Sequence, residues 1–588
     1  MIRLKVILTS LNARFIHSNL AIRYLKTYTK SICPGINIKT MEFTINDHTD
    51  NIVRQIYIQK PDVLGFSCYI WNITQTLEVV EILKKVNKDL LIVLGGPEVS
   101  FDAKDLMLNN KYVDFIIKGE GERSFKEFLT ALKERKDYNN IPGLVYRDEA
   151  RVIENDTPPP IIDFKQIPFP YDEFKTLENK ILYYESSRGC PFRCQYCLSS
   201  TAGNLRFLPI KRVKEDLLKL IEYKPRQVKF VDRTFNCVKS RALDIWKFIM
   251  EHDNGITNFH FEICADLLDK EMLTLLSRAR TDLIQFEIGV QSTHKKTLEA
   301  IQRKMDLDKV KAAVKQLGKN NNIHLHLDLI AGLPYEGYNR FKKSFNDVYN
   351  LQPEMLQLGF LKLLKGSGLR KTASEHGYVF KDNPPYEVLK NNYIEYDDLL
   401  RLKSIAELIE KYYNTHRFDT SLNFVIVNCF DTPFDFYEEF ASFWQTKGYF
   451  NISHSNESLY KILYQFYQEK GEKHELFRDV LKFDYLLHNR HGKIFTWFNE
   501  NPIKDFKNRC FNFLKKEENI RKYLPEFIGL PAKKIYKNVN FEGFQYDVIQ
   551  IYRDPKKIYA EKKPTTVLFK YDTGPQVIKK AWFRAVNI

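Results

Sequence analysis

Three cysteines stand in one short run, Ser187-Arg188-Gly189-Cys190-Pro191-Phe192-Arg193-Cys194-Gln195-Tyr196-Cys197. The spacing is C-x3-C-x2-C, and a loop of that length can aim three thiolates at one metal centre. Three is one fewer than a closed four-thiolate site needs, whether zinc or iron–sulfur. No histidine lies between Asp172 and Glu251 to act as a local fourth ligand. An open coordination position is where substrate or cofactor chemistry takes place.

The elements that must position this loop are legible on either side of it. Residues 1–140 alternate apolar strand-like runs (Lys5–Leu11, Ile38–Phe43, Val63–Tyr69, Leu90–Leu94, Val113–Ile117) with helical spacing over Leu20–Tyr28 and Ile73–Val86. A further helix is predicted over Ser124–Lys133 with Ser124 as its N-cap. Strands that run into Gly95-Gly96-Pro97-Glu98 and Gly119-Glu120-Gly121-Glu122 indicate a doubly wound parallel sheet, with ligands at the carboxyl ends of its strands. Residues 141–180, which include Thr157-Pro158-Pro159-Pro160, have linker composition. From 181 to 385 six strands are predicted: Ile181–Ser186, Val228–Val231, Phe259–Ile263, Leu283–Gly289, His324–Ile330 and Met355–Leu361. With helices between them they suggest a partial (β/α)6 barrel carrying its functional groups at the strand ends. Residues 386–588 form a C-terminal, mainly helical α+β domain, with a β-like stretch at Thr565–Tyr571. The fold class is α/β.

The bulk properties narrow the setting. The chain has 588 residues and nine cysteines, 44% of it hydrophobic and 28% charged, as in ordinary globular proteins. The N-terminus reads as a strand rather than a signal peptide, and no apolar run approaches a membrane span. We therefore expect a cytoplasmic protein, where clustered cysteines mean metal or catalysis rather than disulfides. The other six cysteines are scattered and read as small buried residues. Net charge is +16, and it is uneven: residues 501–588 hold 19 Lys/Arg against 9 Asp/Glu, whereas 401–500 come to about −2. A basic tail rich in Tyr and Phe suits RNA, tRNA foremost, though lysine-rich composition throughout the chain also accounts for it.

The cysteine loop and the strand-end motifs after it resemble the radical SAM superfamily. The matching runs are Phe230-Val231-Asp232-Arg233-Thr234-Phe235, Phe261-Glu262, Glu287-Ile288-Gly289-Val290-Gln291-Ser292 and Asp328-Leu329-Ile330-Ala331-Gly332-Leu333-Pro334. The resemblance implies that Cys190, Cys194 and Cys197 hold a 4Fe–4S cluster whose open iron binds S-adenosylmethionine and cleaves it reductively. It implies cofactor contacts for Tyr196, Glu262, Gln291, Ser292, Arg303 and Asp328. It implies one also for Asp232, which stands where many members carry a glycine-rich stretch. A flavodoxin- or ferredoxin-type electron donor is the implied partner.

The sheet ahead of the barrel is similar to that of the cobalamin-binding subclass. The resemblance places Ser67, Tyr69, Trp71, Gly95, Gly96, Gly119 and Glu120 around cobalamin, with glycine allowing close approach of a flat macrocycle. The D-x-H-x-x-G motif is absent, and Asn12-Ala13-Arg14-Phe15-Ile16-His17 does not match it. No histidine is then expected beneath cobalt. The implied activity is a radical transferase, methyltransferase-like, that methylates or otherwise modifies an unactivated carbon, with tRNA modification as one outcome. The alternatives are a small metabolite or peptide altered by rearrangement, reduction or thio-group chemistry, and, in another class, a cobalamin sensor with a structural cluster.

Overall fold

The computed structural model describes every residue except 1–3, 34, 150, 157–162, 175–176, 202, 490–493, 557–560 and 572–579. The proline run at 157–160 therefore lies outside the described residues. The chain divides into two compact units, residues 1–337 with 359–396, and residues 338–358 with 397–588.

The first unit opens with a seven-stranded sheet. Its order is Asn37–Thr44, Lys5–Asn12, Val63–Ser67, Leu91–Gly95, Phe115–Ile117, Leu144–Asp148 and Arg151–Glu154. The first five strands are parallel and the last two antiparallel. Alternate residues feed two apolar layers. Ile7, Leu64, Ile92 and Ile116 face one way, and Val6, Val63, Val93 and Phe115 face the other. Burial on both faces is why these strands read as continuous apolar runs. The strand order reverses between Lys5–Asn12 and Val63–Ser67, which creates a crevice beyond their carboxyl ends.

Two expectations need correction here. Residues 144–154 are a hairpin of this sheet, not linker; Leu144, Val145 and Tyr146 are buried against the Phe115–Ile117 edge. Ser124 lies inside the helix Gly121–Glu134, and its Oγ donates to the Pro142 carbonyl at 2.7 Å. The helix starts three residues earlier because Gly119, at φ 71°, turns the chain directly off the strand.

The second sheet has the order Leu182–Tyr184, Gln227–Phe230, Asn258–Ile263, Ile284–Gln291, His324–Ala331 and Met355–Phe360. Its neighbours are joined in parallel at the registers Val228↔Leu182, Val228↔Phe259, Ile288↔Ile263 and Ile288↔Leu327. It is the open six-stranded βα barrel, packed around Phe230, Phe261, Phe286 and Trp246, all fully buried.

The second unit is built of helices, among them Asp419–Cys429, Pro433–Thr446, Asn456–Lys470 and His474–His488, with an antiparallel sheet of Val539–Phe544, Thr565–Lys570 and Trp582–Val586. Its core is aromatic: Phe424, Phe436, Phe440, Trp444, Tyr460, Phe466 and Phe477 are buried together. Among the described residues no helix is long and apolar enough to cross a membrane.

Candidate functional site

The cysteine loop follows the first barrel strand and is fixed from three directions. Its backbone is held at Gln195, whose N–H donates to the Ile301 carbonyl and whose carbonyl accepts from Leu369 N, both at 2.9 Å. Arg303 ties it to the fourth strand: its guanidinium donates to the Gly289 carbonyl and points to Cys194 Sγ at 3.8 Å and Tyr196 Oη at 3.5 Å. Thr234 Oγ1 sits 3.6 Å from Cys190 Sγ. Burial pushes the Cys194 thiol up, and Arg303 opposes that by favouring the thiolate. Among the described residues no group of three His, Cys, Asp or Glu converges closely enough for a single ion. A cubane cluster has a different requirement, since each thiolate binds its own iron. A loop with three thiols, one buried and two half-buried, beside a guanidinium suits that geometry.

Asp232 is not free to face a cofactor. It is 1% exposed and accepts from Ser186 N (2.9 Å), Ser186 Oγ (2.6 Å) and Ser187 Oγ (2.5 Å). It braces the root of the cysteine loop against the second strand, and burial raises its carboxyl despite these donors. Ser292 is likewise fully buried, donating to Glu336 at 2.7 Å and accepting from His294 N at 2.9 Å. Both stabilise strand ends rather than a ligand surface.

Glu262, Gln291 and Asp328 come from neighbouring strands inside the barrel. Glu262 pairs in register with Glu287, and Gly289 with Asp328. A register shift between Gly289 and Gln291 puts Gln291 at φ 70°, a costly conformation for a non-glycine residue, and leaves its Oε1 buried without a hydrogen-bond partner. That unmet acceptor and the strained backbone fit a residue awaiting a ligand donor. Burial and the neighbouring Glu287 push Glu262 up to about 7, against Arg233 and Lys229. Burial would raise Glu287 too, but His260 at 3.0 Å and Lys229 at 2.8 Å hold it well below the carboxylate range. Two carboxyls side by side are thus pushed in opposite directions.

The crevice of the N-terminal sheet opens into a cavity of about 1500 Å³. One wall is made by the sheet's strand ends, with Ser67, Tyr69, Trp71, Gly95, Gly96, Gly119 and Glu120. The opposite wall is made by Tyr183, Arg188, Tyr196, Cys197 and Arg233 at the barrel mouth. A drug-sized ligand needs roughly 300–1,000 Å³, so this volume accepts more than one. Tyr69 and Trp71 stack with centroids 4.3 Å apart. Gly96, at φ 112°, is required by the chain itself: a Cβ there would lie 2.5 Å from the Cys68 carbonyl. His17 faces the same cavity, but its Nδ1 is bound to Tyr183 Oη at 2.6 Å.

Glu120 is not an open wall residue, because Arg206 and Arg188 both bind it. Arg188 also reaches Glu122 (2.5 Å) and Glu185 (2.9 Å) and lies between the rings of Tyr24 and Phe164. This cluster joins the sheet to the residue two places before Cys190. A second tie comes from residues 361–371. Lys365 pairs with Glu98 (3.1 Å) and Asp102 (2.8 Å), Tyr386 donates to Glu98, and Gly366 packs on the Phe101 ring so closely that a Cβ would collide. Leu369 of the same segment holds Gln195.

Residues 6–129 match the B12 binding domain and residues 184–348 the radical SAM superfamily. The chain is a cobalamin-binding radical SAM enzyme. Its remaining match, residues 374–569, is to a family described as protein of unknown function, DUF4080. An uncharacterized methyltransferase of Pyrococcus horikoshii is 26% identical over 398 residues, 64% of this chain and 83% of the relative. The cobalamin-dependent radical SAM methyltransferase TokK of Streptomyces tokunonensis is 28% identical over 310 residues, 50% of this chain and 45% of TokK. The radical SAM methyltransferase TsrM of Kitasatospora setae shares the fold, with TM-score 0.56 at 17% identity over 66% of this chain and 82% of TsrM.

The enzyme's cofactors are a 4Fe–4S cluster, S-adenosylmethionine and cobalamin. Cys190, Cys194 and Cys197 would hold the cluster; Gln291, Glu262 and Asp328 would meet the amino-acid and ribose ends of S-adenosylmethionine; the sheet's wall of the cavity would hold cobalamin. Arg188, Lys365 and Tyr386 are structural members that spacing alone did not reveal. The only local cue was the glycine pair Gly366 and Gly368 after a strand.

Proposed function

We propose that this enzyme transfers a methyl group to an unactivated carbon of a substrate held between its two cofactor domains. The reading rests chiefly on one observation: a single cavity walled by the cobalamin-side strand ends and by Tyr196 and Cys197 of the cysteine loop. When bound, the cofactors supply a carbon radical and a methyl group. The chain's own work is positional. Arg188 and Lys365 hold the two walls at fixed separation, Arg303 orients the cysteine loop, and the aromatic lining excludes water from a reactive centre. The test is anaerobic reconstitution with a reductant. Formation of both 5′-deoxyadenosine and S-adenosylhomocysteine supports methyl transfer. The first product without the second favours rearrangement, reduction or thio-group chemistry, and neither product favours a sensor.

The electron donor is proposed to be a flavodoxin- or ferredoxin-type protein. RNA, tRNA first, is the proposed partner of the basic stretch 501–588. Deleting that stretch would remove Glu542 from the buried Lys482, 2.7 Å away, and so confound the test. Charge reversal at the exposed Lys533, Lys534 and Lys537 is cleaner. It should weaken tRNA retention and flatten its salt dependence; retention equal to wild type removes RNA from the proposal.

A further inference from the structure

The charges that line the cavity are balanced almost everywhere. Glu120, Glu122 and Glu185 are held by Arg188, and Glu120 by Arg206 as well. Lys118 pairs with Glu154, and Arg123 with Glu127 at 2.8 Å. Burial lowers the pKa of His17, which favours the neutral ring. Arg233 is the exception. It lines the cavity and is exposed, and none of the ion pairs among the described residues includes it.

Its backbone is nevertheless held firmly. Asp232 on one side is locked by Ser186 and Ser187, and Thr234 on the other is buried beside Cys190. Arg233 stands between these two buried neighbours in the turn that follows the strand Gln227–Phe230, and it is exposed and lines the cavity between the cofactor domains. Across that space it acts electrostatically on Tyr69 of the sheet and Glu262 of the barrel. An arginine on a fixed backbone with five unused donors is suited to bidentate capture of a planar or tetrahedral oxyanion.

We infer that Arg233 anchors an anionic group of the substrate, a carboxylate or a phosphate, at the mouth of the barrel. The inference rests on the reading that the substrate occupies this cavity. It also accounts for a charge in the cavity lining that no ion pair among the described residues includes.

The test uses wild-type enzyme loaded with cluster, cobalamin and S-adenosylmethionine. Phenylglyoxal condenses with unpaired guanidinium groups, and peptide mass spectrometry reports the rate at Arg233, with Arg188 and Arg206 as paired, slow references. Arg233 should be labelled in the loaded enzyme. Inorganic phosphate or acetate should slow its labelling about tenfold, the contribution of one charge-assisted pair. Protection by phosphate alone identifies a phosphoryl group, protection by acetate alone a carboxylate, and protection by both an unselective oxyanion anchor. If loading cobalamin or S-adenosylmethionine by itself shields Arg233, it is a cofactor residue and the inference fails. It fails equally if neither anion slows labelling. Methyl transfer is read separately: S-adenosylhomocysteine formation without anion protection refutes the anchor alone, and protection without it refutes the methyl-transfer reading alone.

Discussion

The two compact units handle buried charge in opposite ways. In the C-terminal unit Asp484 is enclosed and accepts from Ser421 N at 2.8 Å and Ser421 Oγ at 2.7 Å. Asp479 accepts from Gln545 N and Tyr546 N, and Lys482 donates to the Asn499 and Gly543 carbonyls as well as to Glu542. Every one of these partners lies within the same unit and is enclosed by it, and aromatic rings fill the remaining volume. In the first unit several charged groups lie at the carboxyl ends of strands, where parallel topology leaves open space instead of packing. Arg188 and Arg233 therefore border volume that a ligand can enter. The same residue types make a scaffold in one unit and a site in the other. The difference is whether backbone or empty space meets them.

The strongest way to sharpen this contrast is Cys194→Ala. It should abolish S-adenosylmethionine cleavage and lower iron content, while the thermal unfolding of the helical unit is unchanged. Iron analysis with product chromatography checks it, and retained iron and turnover would refute the cysteine assignment. Lys482→Met tests the opposite unit. It strands Glu542, itself 6% exposed, and should cost about 3–5 kcal/mol in denaturant unfolding, with cofactor content of the folded fraction preserved. Lys365→Met should cost less, about 1–3 kcal/mol, because Tyr386 still donates to Glu98. Its distinguishing effect should be weaker cobalamin retention on gel filtration, with Lys365→Arg restoring it.

The smallest expected effect is a pH dependence. Glu262 is pushed up to about 7 by burial and Glu287. A carboxyl whose pKa rises on folding stabilises the fold while protonated and stops doing so as pH climbs through the folded value. The Tm of the first unit should fall between about pH 5 and about pH 8, and Glu262→Gln should flatten that slope. An identical slope in the variant would mean that another group carries it. A final check concerns His17: with its ring held by Tyr183, bound cobalamin should show no nitrogen beneath cobalt, and His17→Ala should leave the visible spectrum unchanged.

Local pattern carried the reading a long way. All six barrel strands lie where apolar runs end in polar motifs, and the helix Ile73–Val86 has the bounds its periodicity predicts. It misled where a residue's role depends on what faces it. Asp232 and Ser292 carry side chains suited to a ligand but spend them on neighbouring strand ends. Glycine at 96 is needed for the Cys68 carbonyl beside it. The hairpin 144–154 resembled linker because proline-rich residues follow it, although its own alternation pairs with the sheet edge.

By itself the sequence determined the cysteine triad, the strand-end motifs and the order of domains, because each depends on spacing within a few residues. The tertiary structure alone decided which charges are spent and which are available. Arg188 meets Glu120 and Glu122 across more than sixty residues, and Lys365 meets Glu98 from the far end of the barrel. Such pairings follow from strand order and crossover direction, which no local periodicity encodes. What they leave over, an unpaired Arg233 between two cofactor domains, is visible only once the other charges lining that cavity have been matched to their partners.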